Sequence, residues 1–359
     1  MDKRVIVGMS GGVDSSVAAA LLQQEGYDVI GVTLVLAPDE KDRNSDASPV
    51  SSAAARSAQA VCRRLGVPWH EIERRELFRQ EVIRPFCKAY ARGRTPNPCV
   101  ICNRRVKFPL LLEAAASFGA AFIATGHYAR ITPDAGRHVL RRGLDERKDQ
   151  SYYLFGLDPA ILPRVLMPIG DLARDEVQRL ATTVGLAAHA RPASQDVCFA
   201  AEDDYGALVR AFADTPPVPG PIYDTGGKRL GEHRGVAFYT VGQRRGLGIS
   251  ARRPLYVVEI EADRNALIVG TEDWLTAHGL TASAPSWISV EPPTEPFEAL
   301  VKIRYNHAGT MGRVTPLDEN TVRVNFFEAV RAVTPGQACV FYDGDLVLGG
   351  AWIEHGAEG

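Results

Sequence analysis

The chain of 359 residues has no apolar run near the roughly 20 residues that a membrane-spanning helix needs. It begins Met1-Asp2-Lys3-Arg4 and continues into a short apolar strand and a polar Gly-Gly loop, which is not the pattern of a secretory signal. Six cysteines are too few for a disulfide scaffold. The 41 Lys and Arg against 43 Asp and Glu give a net charge of −2, which excludes a histone-like protein. We therefore expect a soluble, cytoplasmic protein with no membrane partner.

The composition is that of a globular protein, with 45% apolar residues and enough length for two or three domains of about 150 residues. In the first part, apolar strand-sized runs alternate with helix-sized segments, which predicts a doubly wound parallel α/β domain over residues 1–207. The Pro-rich stretch 214–221 interrupts that pattern. Gly-rich, basic, strand-sized pieces predict a small central domain over residues 208–274. Period-two alternation predicts an antiparallel β-barrel over residues 275–359, with a basic face along Val301–Tyr305.

The strongest local signal is the hexapeptide Ser10-Gly11-Gly12-Val13-Asp14-Ser15, between a predicted strand and a predicted helix. Its glycines let the backbone approach an anion, and amides at the helix start can hold phosphate oxygens together with the serine hydroxyls. Asp14 cannot itself attract phosphate, so it implies Mg²⁺ between the two. No Lys-Ser/Thr pair follows the glycines, so this is not a Walker A loop. The simpler alternative is a glycine turn with a Ser or Asp helix cap.

The hexapeptide resembles the pyrophosphate loop of the N-type ATP pyrophosphatase superfamily. That resemblance implies cleavage of ATP between its α and β phosphates and adenylation of a carbonyl oxygen. Amide synthetases, tRNA-lysidine synthetase and sulfur-transfer enzymes all remain open at this point.

Three of the six cysteines lie in contexts typical of chemistry. Cys99 and Cys102 follow an Asn-Pro pair, which predicts a loop leading to a helix at Arg104. A helix N-terminus and nearby cations should lower the pKa of these two thiols. Cys198 follows another helix and a Pro-containing loop. The remaining cysteines are predicted to be buried apolar residues: Cys62, Cys87 and Cys339.

Positive charge is concentrated in two segments that contain no Asp or Glu. Residues 82–112 carry seven cations, namely Arg84, Lys88, Arg92, Arg94, Arg104, Arg105 and Lys107. Residues 233–258 carry five, namely Arg234, Arg244, Arg245, Arg252 and Arg253. A charged run is often only a solvated face, but two such segments, one of them with reactive cysteines, favour a polyanionic substrate. ATP needs far fewer cations, so we predict a nucleic-acid partner.

Motifs along nearly the whole chain resemble those of the tRNA-specific 2-thiouridylase family. They are SGGVDS, GRTPNPCVICN, ATGHYAR, KDQSYYL, SQDVCF, GEHRG, TVGQRRGLGI and AVTPGQACVFYDG. The resemblance implies an enzyme that replaces O2 of the wobble uridine U34 with sulfur in tRNAs for Lys, Glu and Gln, releasing AMP and pyrophosphate. It implies a monomer whose partners are the anticodon stem-loop of tRNA and a sulfur-donor protein or sulfide source.

The resemblance also assigns roles to individual residues. It places ATP on Leu34, Gly126 and the loop residues Gly8, Met9, Ser10, Gly11, Gly12, Val13, Asp14 and Ser15. It places the target base against Asn97, Pro98 and Cys99. It assigns other tRNA contacts to His127, Lys148, Asp149, Gln150, Arg304, Tyr305 and Gln337.

In the mechanism that the resemblance implies, Cys198 carries a persulfide and the O2 of the flipped-out base is adenylated by ATP. Cys102 then acts as the nucleophile or closes a disulfide with Cys198. At Cys99 this sequence differs from a familiar form of the family's motif, NPDxxCN, which has Asp at that position. Cys99, Cys102 and Cys198 could instead hold a [4Fe–4S] cluster whose open iron binds hydrosulfide. Both routes stay open here.

Two other functions fit parts of the sequence. An adenylating enzyme for a small acid, such as aspartate or a nicotinate derivative, would explain the hexapeptide but not the basic segments, the three cysteines or the barrel. A non-enzymatic tRNA-binding protein would explain the basic segments, but the intact Ser10, Asp14 and Ser15 argue against a vestigial loop.

Overall fold

The computed structural model describes residues 3–36, 53–186, 198–199, 205–212 and 216–357. Contacts divide the chain into two compact units. The first comprises Met1–Glu81, Cys99–Ala201 and Asp345–Val347, and the second Val82–Pro98, Glu202–Gly344 and Leu348–Gly359. The units thus alternate along the sequence, and the predicted domain limits at residues 207 and 274 stay predictions. Among the helices that the structure describes, none is long and apolar enough to cross a membrane.

The helices begin and end as follows in chain order. They are α1 (Val13–Gln24), α2 (Ala53–Leu65), α3 (Arg75–Phe78), α4 (Arg84–Ala91), α5 (Pro98–Cys102), α6 (Phe108–Ser117), α7 (Arg174–Thr183) and α8 (Tyr205–Phe212). Short 3₁₀ turns occupy Ser151–Tyr153, Pro159–Arg164, Val236–Phe238, Ala262–Arg264 and Glu272–Leu275.

A parallel sheet forms the centre of the first unit. The strands of this unit are β1 (Arg4–Gly8), β2 (Asp28–Val35), β3 (Trp69–Glu73), β4 (Phe122–Ala124), β5 (Ala129–Asp134), β6 (Arg137–Arg142) and β7 (Val165–Leu166). Five of them pair in parallel in the order β3-β2-β1-β4-β7. Strands β5 and β6 form an antiparallel hairpin outside this sheet, and Arg141 of β6 also pairs with Leu346. The apolar run of β1 is completely buried, as expected for a strand covered on both faces. The predicted doubly wound α/β class is confirmed.

Two widened π-helical turns, Arg79–Ile83 and Asn103–Lys107, precede α4 and α6. Each of these helices has a proline in its first turn, Pro85 and Pro109. Proline lacks a backbone N–H, so a carbonyl in the preceding turn loses its normal donor and the turn widens. The chain is therefore helical in two unbroken stretches, from Arg75 to Ala91 and from Pro98 to Ser117.

The second unit contains two β-structures. Strands β8 (Gly220–Asp224), β9 (Arg229–His233), β10 (Tyr256–Glu261) and β11 (Ala266–Gly270) form a sheet in the order β10-β11-β8-β9. The next strands are β12 (Thr276–Trp287), β13 (Phe297–Lys302), β14 (Thr310–Asp318), β15 (Thr321–Arg331), β16 (Ala338–Asp343) and β17 (Leu346–Ala357). Because β12 pairs with both β15 and β17, these six strands close on themselves. The small central domain and the antiparallel barrel are therefore confirmed.

The expected basic face along Val301–Tyr305 is wrong for Lys302. Strand β13 ends at Lys302, so the alternation does not continue to Arg304. Lys302 is buried, with its ammonium group 5.9 Å from the centre of the Tyr305 ring. Only Arg304 is exposed, and its guanidinium donates to the Arg331 carbonyl oxygen at 3.1 Å.

Candidate functional site

The predicted phosphate loop lies between the end of β1 and the start of α1. Its conformation is held by the hydroxyl of Ser15, which accepts from the Ser10 N–H at 3.2 Å and donates to the Gly12 carbonyl at 3.2 Å. The two serine hydroxyls are 3.1 Å apart. Gly12 caps the helix without a side-chain hydrogen bond to the helix amides. Amides at a helix start attract anions, so the loop suits phosphate oxygens.

Two glycines allow the backbone to fold tightly around this loop. Gly11 has φ +73°, and a side-chain carbon there would lie 2.4 Å from the Ala54 carbonyl oxygen. Gly126, just beyond β4, is packed so closely that an added carbon would lie 2.5 Å from the Ser15 nitrogen. The structure therefore brings the ATP residues predicted at 8–15 and at Gly126 together. Leu34 is partly buried near the end of β2, the strand beside β1.

Asp14 is held at the start of α1 by residues far away in the sequence. One carboxylate oxygen, Oδ1, accepts from the Tyr128 hydroxyl at 2.9 Å, and the Arg174 guanidinium lies 3.9 Å from the same oxygen. Burial and the charge of Asp14 raise the pKa of Tyr128 above its usual range, so its hydroxyl is a donor. Mg²⁺ is commonly held by one or two carboxylates together with phosphate oxygens and water. A single Asp beside a phosphate loop fits that pattern.

The cysteine segment is a helix, not the predicted loop. Cys99 and Cys102 lie within α5, and the helix continues through the widened turn into α6. Pro98 does not prevent this, because proline is tolerated in the first turn of a helix. The next residue, Asn103, is buried, and its amide donates to the Tyr153 carbonyl at 3.1 Å.

The expectation that these thiols have lowered pKa values is also wrong. Cys99 and Cys198 are exposed and Cys102 is half-buried, yet nearby protein atoms displace water from all three sulfurs and raise their pKa. For Cys102 the pKa is raised to about 11. Lys107 opposes this rise at each of the three thiols. Desolvation outweighs the nearby cation, which the sequence alone did not reveal.

The same interactions place the sulfurs within electrostatic reach of one another. A charge on Cys198 raises the pKa of both Cys99 and Cys102. The structure therefore brings together the three cysteines predicted to act, although Cys198 is almost 100 residues further along the chain. The three predicted structural cysteines are buried: Cys62, Cys87 and Cys339.

The three cysteines are not arranged as the ligands of an iron–sulfur cluster. Among the described residues, which include all three, no three Cys, His, Asp or Glu side chains are grouped so that they could hold a metal ion. A [4Fe–4S] cluster needs its thiolates gathered around the iron atoms. The present arrangement of the three thiols does not fit a cluster.

His127 contacts Thr125, which follows β4, and Phe108, the first residue of α6. Its Nδ1 is 2.7 Å from the Thr125 hydroxyl, and its ring stacks on Phe108 at 6.0 Å between centres. Burial and the charge of Lys107 lower its pKa well below the usual value. The imidazole is therefore neutral at physiological pH, and contact with tRNA would be through a neutral ring.

In residues 148–150, which are predicted to contact tRNA, the side chains of Asp149 and Gln150 form hydrogen bonds with other residues of the first unit. Asp149 is buried, and its carboxylate accepts from the backbone N–H groups of Gly143 and Ser151 at 3.1 and 3.0 Å. These carboxylate oxygens therefore stabilise the fold, and the contact of Asp149 with tRNA stays a prediction. The Gln150 side-chain carbonyl accepts from the Tyr128 N–H at 3.1 Å. For Lys148, which is half-buried, the contact stays a prediction.

Gln337 likewise acts within its own unit. Its side-chain amide donates to the carbonyls of Thr95 and Pro96 at 3.1 and 3.4 Å. These residues directly precede Asn97, which is buried. Gln337 therefore holds the chain leading to the predicted base-contacting residues, and its tRNA contact stays a prediction. The same holds for Asn97, Pro98, Arg304 and Tyr305.

Sequence reasoning missed Tyr128 and Arg174 as site residues, and it counted Lys107 only as one of several cations near the thiols. Tyr128 stands inside the ATGHYAR motif, and Lys107 inside the acid-free segment, so both were visible as part of a pattern. Neither pattern indicates which atom each side chain contacts, because the partners come from distant parts of the chain.

Comparison with known proteins finds matching family models and close relatives over nearly the whole chain. Family models described as the tRNA methyl transferase HUP domain, the tRNA methyl transferase PRC-barrel domain and the aminomethyltransferase β-barrel domain match residues 3–202, 213–271 and 277–353. The tRNA-specific 2-thiouridylase MnmA of Acetivibrio thermocellus is 43% identical over 98% of this chain and 99% of its own length. That of Symbiobacterium thermophilum is 45% identical over 98% of this chain and 92% of its own. With near-complete coverage at this identity, the chain belongs to the tRNA-specific 2-thiouridylase (MnmA) family.

Proposed function

We propose that this chain is a tRNA-uridine 2-sulfurtransferase that uses ATP to convert U34 of tRNAs for Lys, Glu and Gln to 2-thiouridine. The observation that carries the proposal is that one compact unit contains both a phosphate loop and a group of three neighbouring thiols. Relatives named as 2-thiouridylases cover almost the whole chain. An adenylating enzyme for small acids needs the loop but has no use for the thiols.

The ATP half of the reaction is assigned to the loop at the start of α1. The loop amides and the Ser10 and Ser15 hydroxyls bind the phosphates, and Asp14 would hold Mg²⁺, which neutralises phosphate charge when bound. Adenylation of the uridine O2 releases pyrophosphate. It converts a carbonyl oxygen, which is a poor leaving group, into a good one.

The sulfur half is assigned to Cys198 and Cys102. The terminal sulfur of a Cys198 persulfide attacks C2 of the adenylated base, and AMP leaves with the former O2. The Cys102 thiolate then attacks Cys198 Sγ, the S–S bond to the transferred sulfur breaks, and its electron pair forms the thiocarbonyl. A Cys102–Cys198 disulfide remains, and an external thiol reductant must reduce it before the next turnover. Lys107 favours each anionic sulfur along this sequence.

The decisive experiment is mass spectrometry of U34 after incubation of tRNA with ATP and a sulfur source. We expect Cys102→Ala and Cys198→Ala each to abolish 2-thiouridine, because each removes a sulfur that the sequence of steps requires. Cys62→Ala is the matched control, because that thiol is buried and burial raises its pKa to about 12. Full thiolation by Cys198→Ala would contradict the proposed persulfide.

Cys99→Asp distinguishes the persulfide route from the cluster route in the same assay. We expect this variant to retain thiolation, because Cys99 has no step in the persulfide route. A variant without activity, together with iron and sulfide in anaerobically purified wild-type protein, would instead support a cluster on Cys99, Cys102 and Cys198. A colourless, iron-free and fully active protein would exclude it.

A further inference from the structure

The buried hydroxyl of Tyr128 is the group that fixes the carboxylate of the phosphate loop. Tyr128 and Asp14 are 114 positions apart in sequence, yet the hydroxyl donates to Asp14 Oδ1 at 2.9 Å. Arg174 approaches the same oxygen at 3.9 Å. A hydroxyl donor just before β5 and a guanidinium group at the start of α7 therefore converge on one oxygen of a single carboxylate.

Tyr128 itself has little freedom to move. Its ring is 1% exposed and packs among Val17, Ala18, Ile169, Val177 and Ala181, so the hydroxyl is aimed by a rigid apolar cluster. A buried aromatic side chain keeps one rotamer because its neighbours fill the surrounding space.

The backbone of Tyr128 is held as firmly as its ring. Its N–H donates to the Gln150 side chain at 3.1 Å, and its carbonyl accepts from the Gln150 N–H at 2.8 Å. Gly143 packs against the same carbonyl so closely that an added side-chain carbon would lie 2.7 Å from its oxygen. The segment around Asp149 and Gln150 is thus linked to the phosphate loop through one tyrosine.

We propose that Tyr128 is a positioning residue for nucleotide binding, which holds Asp14 Oδ1 and so fixes the carboxylate that would bind the Mg²⁺ of Mg·ATP. This inference rests on the proposed use of ATP and adds a residue that acts through Asp14. A tyrosine that merely fills the apolar cluster would not need its hydroxyl, whereas a positioning tyrosine does.

The test is the Mg²⁺ dependence of ATP binding by the whole chain without tRNA, measured by calorimetry. Tyr128→Phe keeps the ring in its cluster and removes only the donor. We expect the Mg²⁺ concentration for half-maximal ATP binding to rise about tenfold, the order of one lost hydrogen bond to a charged group. ATP binding in the presence of a chelator should stay unchanged, and the unfolding midpoint should shift by less than about 3 °C.

Control variants separate positioning from packing. Tyr239→Phe alters another buried tyrosine, whose hydroxyl accepts from the Arg234 N–H, and should leave the Mg²⁺ dependence unchanged. Arg174→Gln removes a cation 3.9 Å from the same oxygen and should not raise the Mg²⁺ requirement, which separates the loss of the hydroxyl from a loss of positive charge. In an Asp14→Asn background, Tyr128→Phe should add no further change.

An unchanged Mg²⁺ requirement in Tyr128→Phe, or an additive effect in the Asp14→Asn background, would overturn the inference. Both results are independent of thiolation. If wild-type protein binds Mg·ATP as expected but forms no 2-thiouridine, the proposed function fails and the positioning role stands. If the wild-type protein thiolates tRNA but Tyr128→Phe leaves the Mg²⁺ dependence of ATP binding unchanged, only the positioning role fails.

Discussion

In the part of the chain that the structure describes, the charge of Lys107 acts on all three thiols of the cysteine region and on His127. It lowers the pKa of Cys99, Cys102 and Cys198 against the larger effect of desolvation, and it lowers the pKa of His127 together with burial. One ammonium group therefore favours sulfur anions and a neutral imidazole at the same time. Both states suit sulfur transfer to an electrophilic carbon, because a protonated thiol is a poor nucleophile.

Replacing Lys107 by Met should make the thiols less reactive. Without the cation, the pKa of Cys102 and Cys198 rises further, so less thiolate is present at any pH below that value. We expect alkylation of both residues by iodoacetamide at pH 8 to slow about fivefold, and the pH profile of alkylation to move to higher pH. Arg105→Met is the matched control, because it removes one charge from the same turn while its partner is Glu81 at 3.0 Å. Equal slowing by both variants would show that only overall charge matters.

At the scale of secondary-structure elements, the β5–β6 hairpin is fastened by one carboxylate. Asp345 accepts from Arg141 at 2.7 Å and from Arg130 at 2.8 Å, so it connects both strands of the hairpin. Desolvation alone would raise the pKa of Asp345, but the hydrogen bond and charge of Arg141 and the charge of Arg130 together lower it. A carboxyl group with a lowered pKa stabilises the fold above its unfolded-state pKa of about 4, and this contribution is lost as the pH falls.

Asp345→Asn should therefore destabilise the protein at neutral pH and not in acid. The carboxylate is substantially exposed, so solvent screens the pairs and we expect a loss of only about 0.5–1 kcal/mol at pH 7. The thermal midpoint should fall by about 1–3 °C at pH 7 and by nothing measurable below pH 3. Asp343→Asn, in the same turn, serves as the control. A difference that persists at low pH would mean that the asparagine changes the turn rather than the ion pairs.

Some of these elements could be predicted from local sequence patterns and others could not. The phosphate loop followed from local rules, because a strand, two glycines and a helix start are adjacent in the chain. The loop predicted for Cys99–Cys102 rested on the Asn97-Pro98 pair before it, but Pro98 occupies a helix start, where it costs no hydrogen bond. The widened turns before α4 and α6 each precede a proline, Pro85 or Pro109, but a proline alone does not distinguish a widened turn from the end of a helix. The contact between Tyr128 and Asp14 depends on packing across 114 positions, which no local rule describes.

At the scale of the whole molecule, the near-zero net charge conceals an uneven distribution. Both acid-free segments contain exposed arginines, among them Arg104, Arg105, Arg244 and Arg245. Such a distribution binds a polyanion without making the protein basic overall. A small-acid adenylating enzyme would gain nothing from it, so the response to salt separates the two functions.

We expect the Kd for tRNA to rise by about 100-fold between about 50 and 200 mM salt, as for about four phosphate contacts. Replacing Arg244 and Arg245 together by Gln should reduce the slope of log Kd against log salt by about two. The double replacement of Arg63 and Arg64, which are exposed on α2, should leave that slope unchanged. Binding that does not respond to salt would favour a small-molecule substrate.

The alternation of the two units along the chain limits how this protein can be dissected. The stretch Val82–Pro98 leaves the first unit and belongs to the second, where α4 buries Phe86 and Cys87 and packs against α8 and Val236–Phe238. A polypeptide cut after residue 207 would keep α4 but lack most of the surface that covers it, and the uncovered apolar side chains would favour aggregation. Gene fusions or split reporters built on this protein should therefore use surface turns inside a unit, and not the apparent boundary in the middle of the sequence.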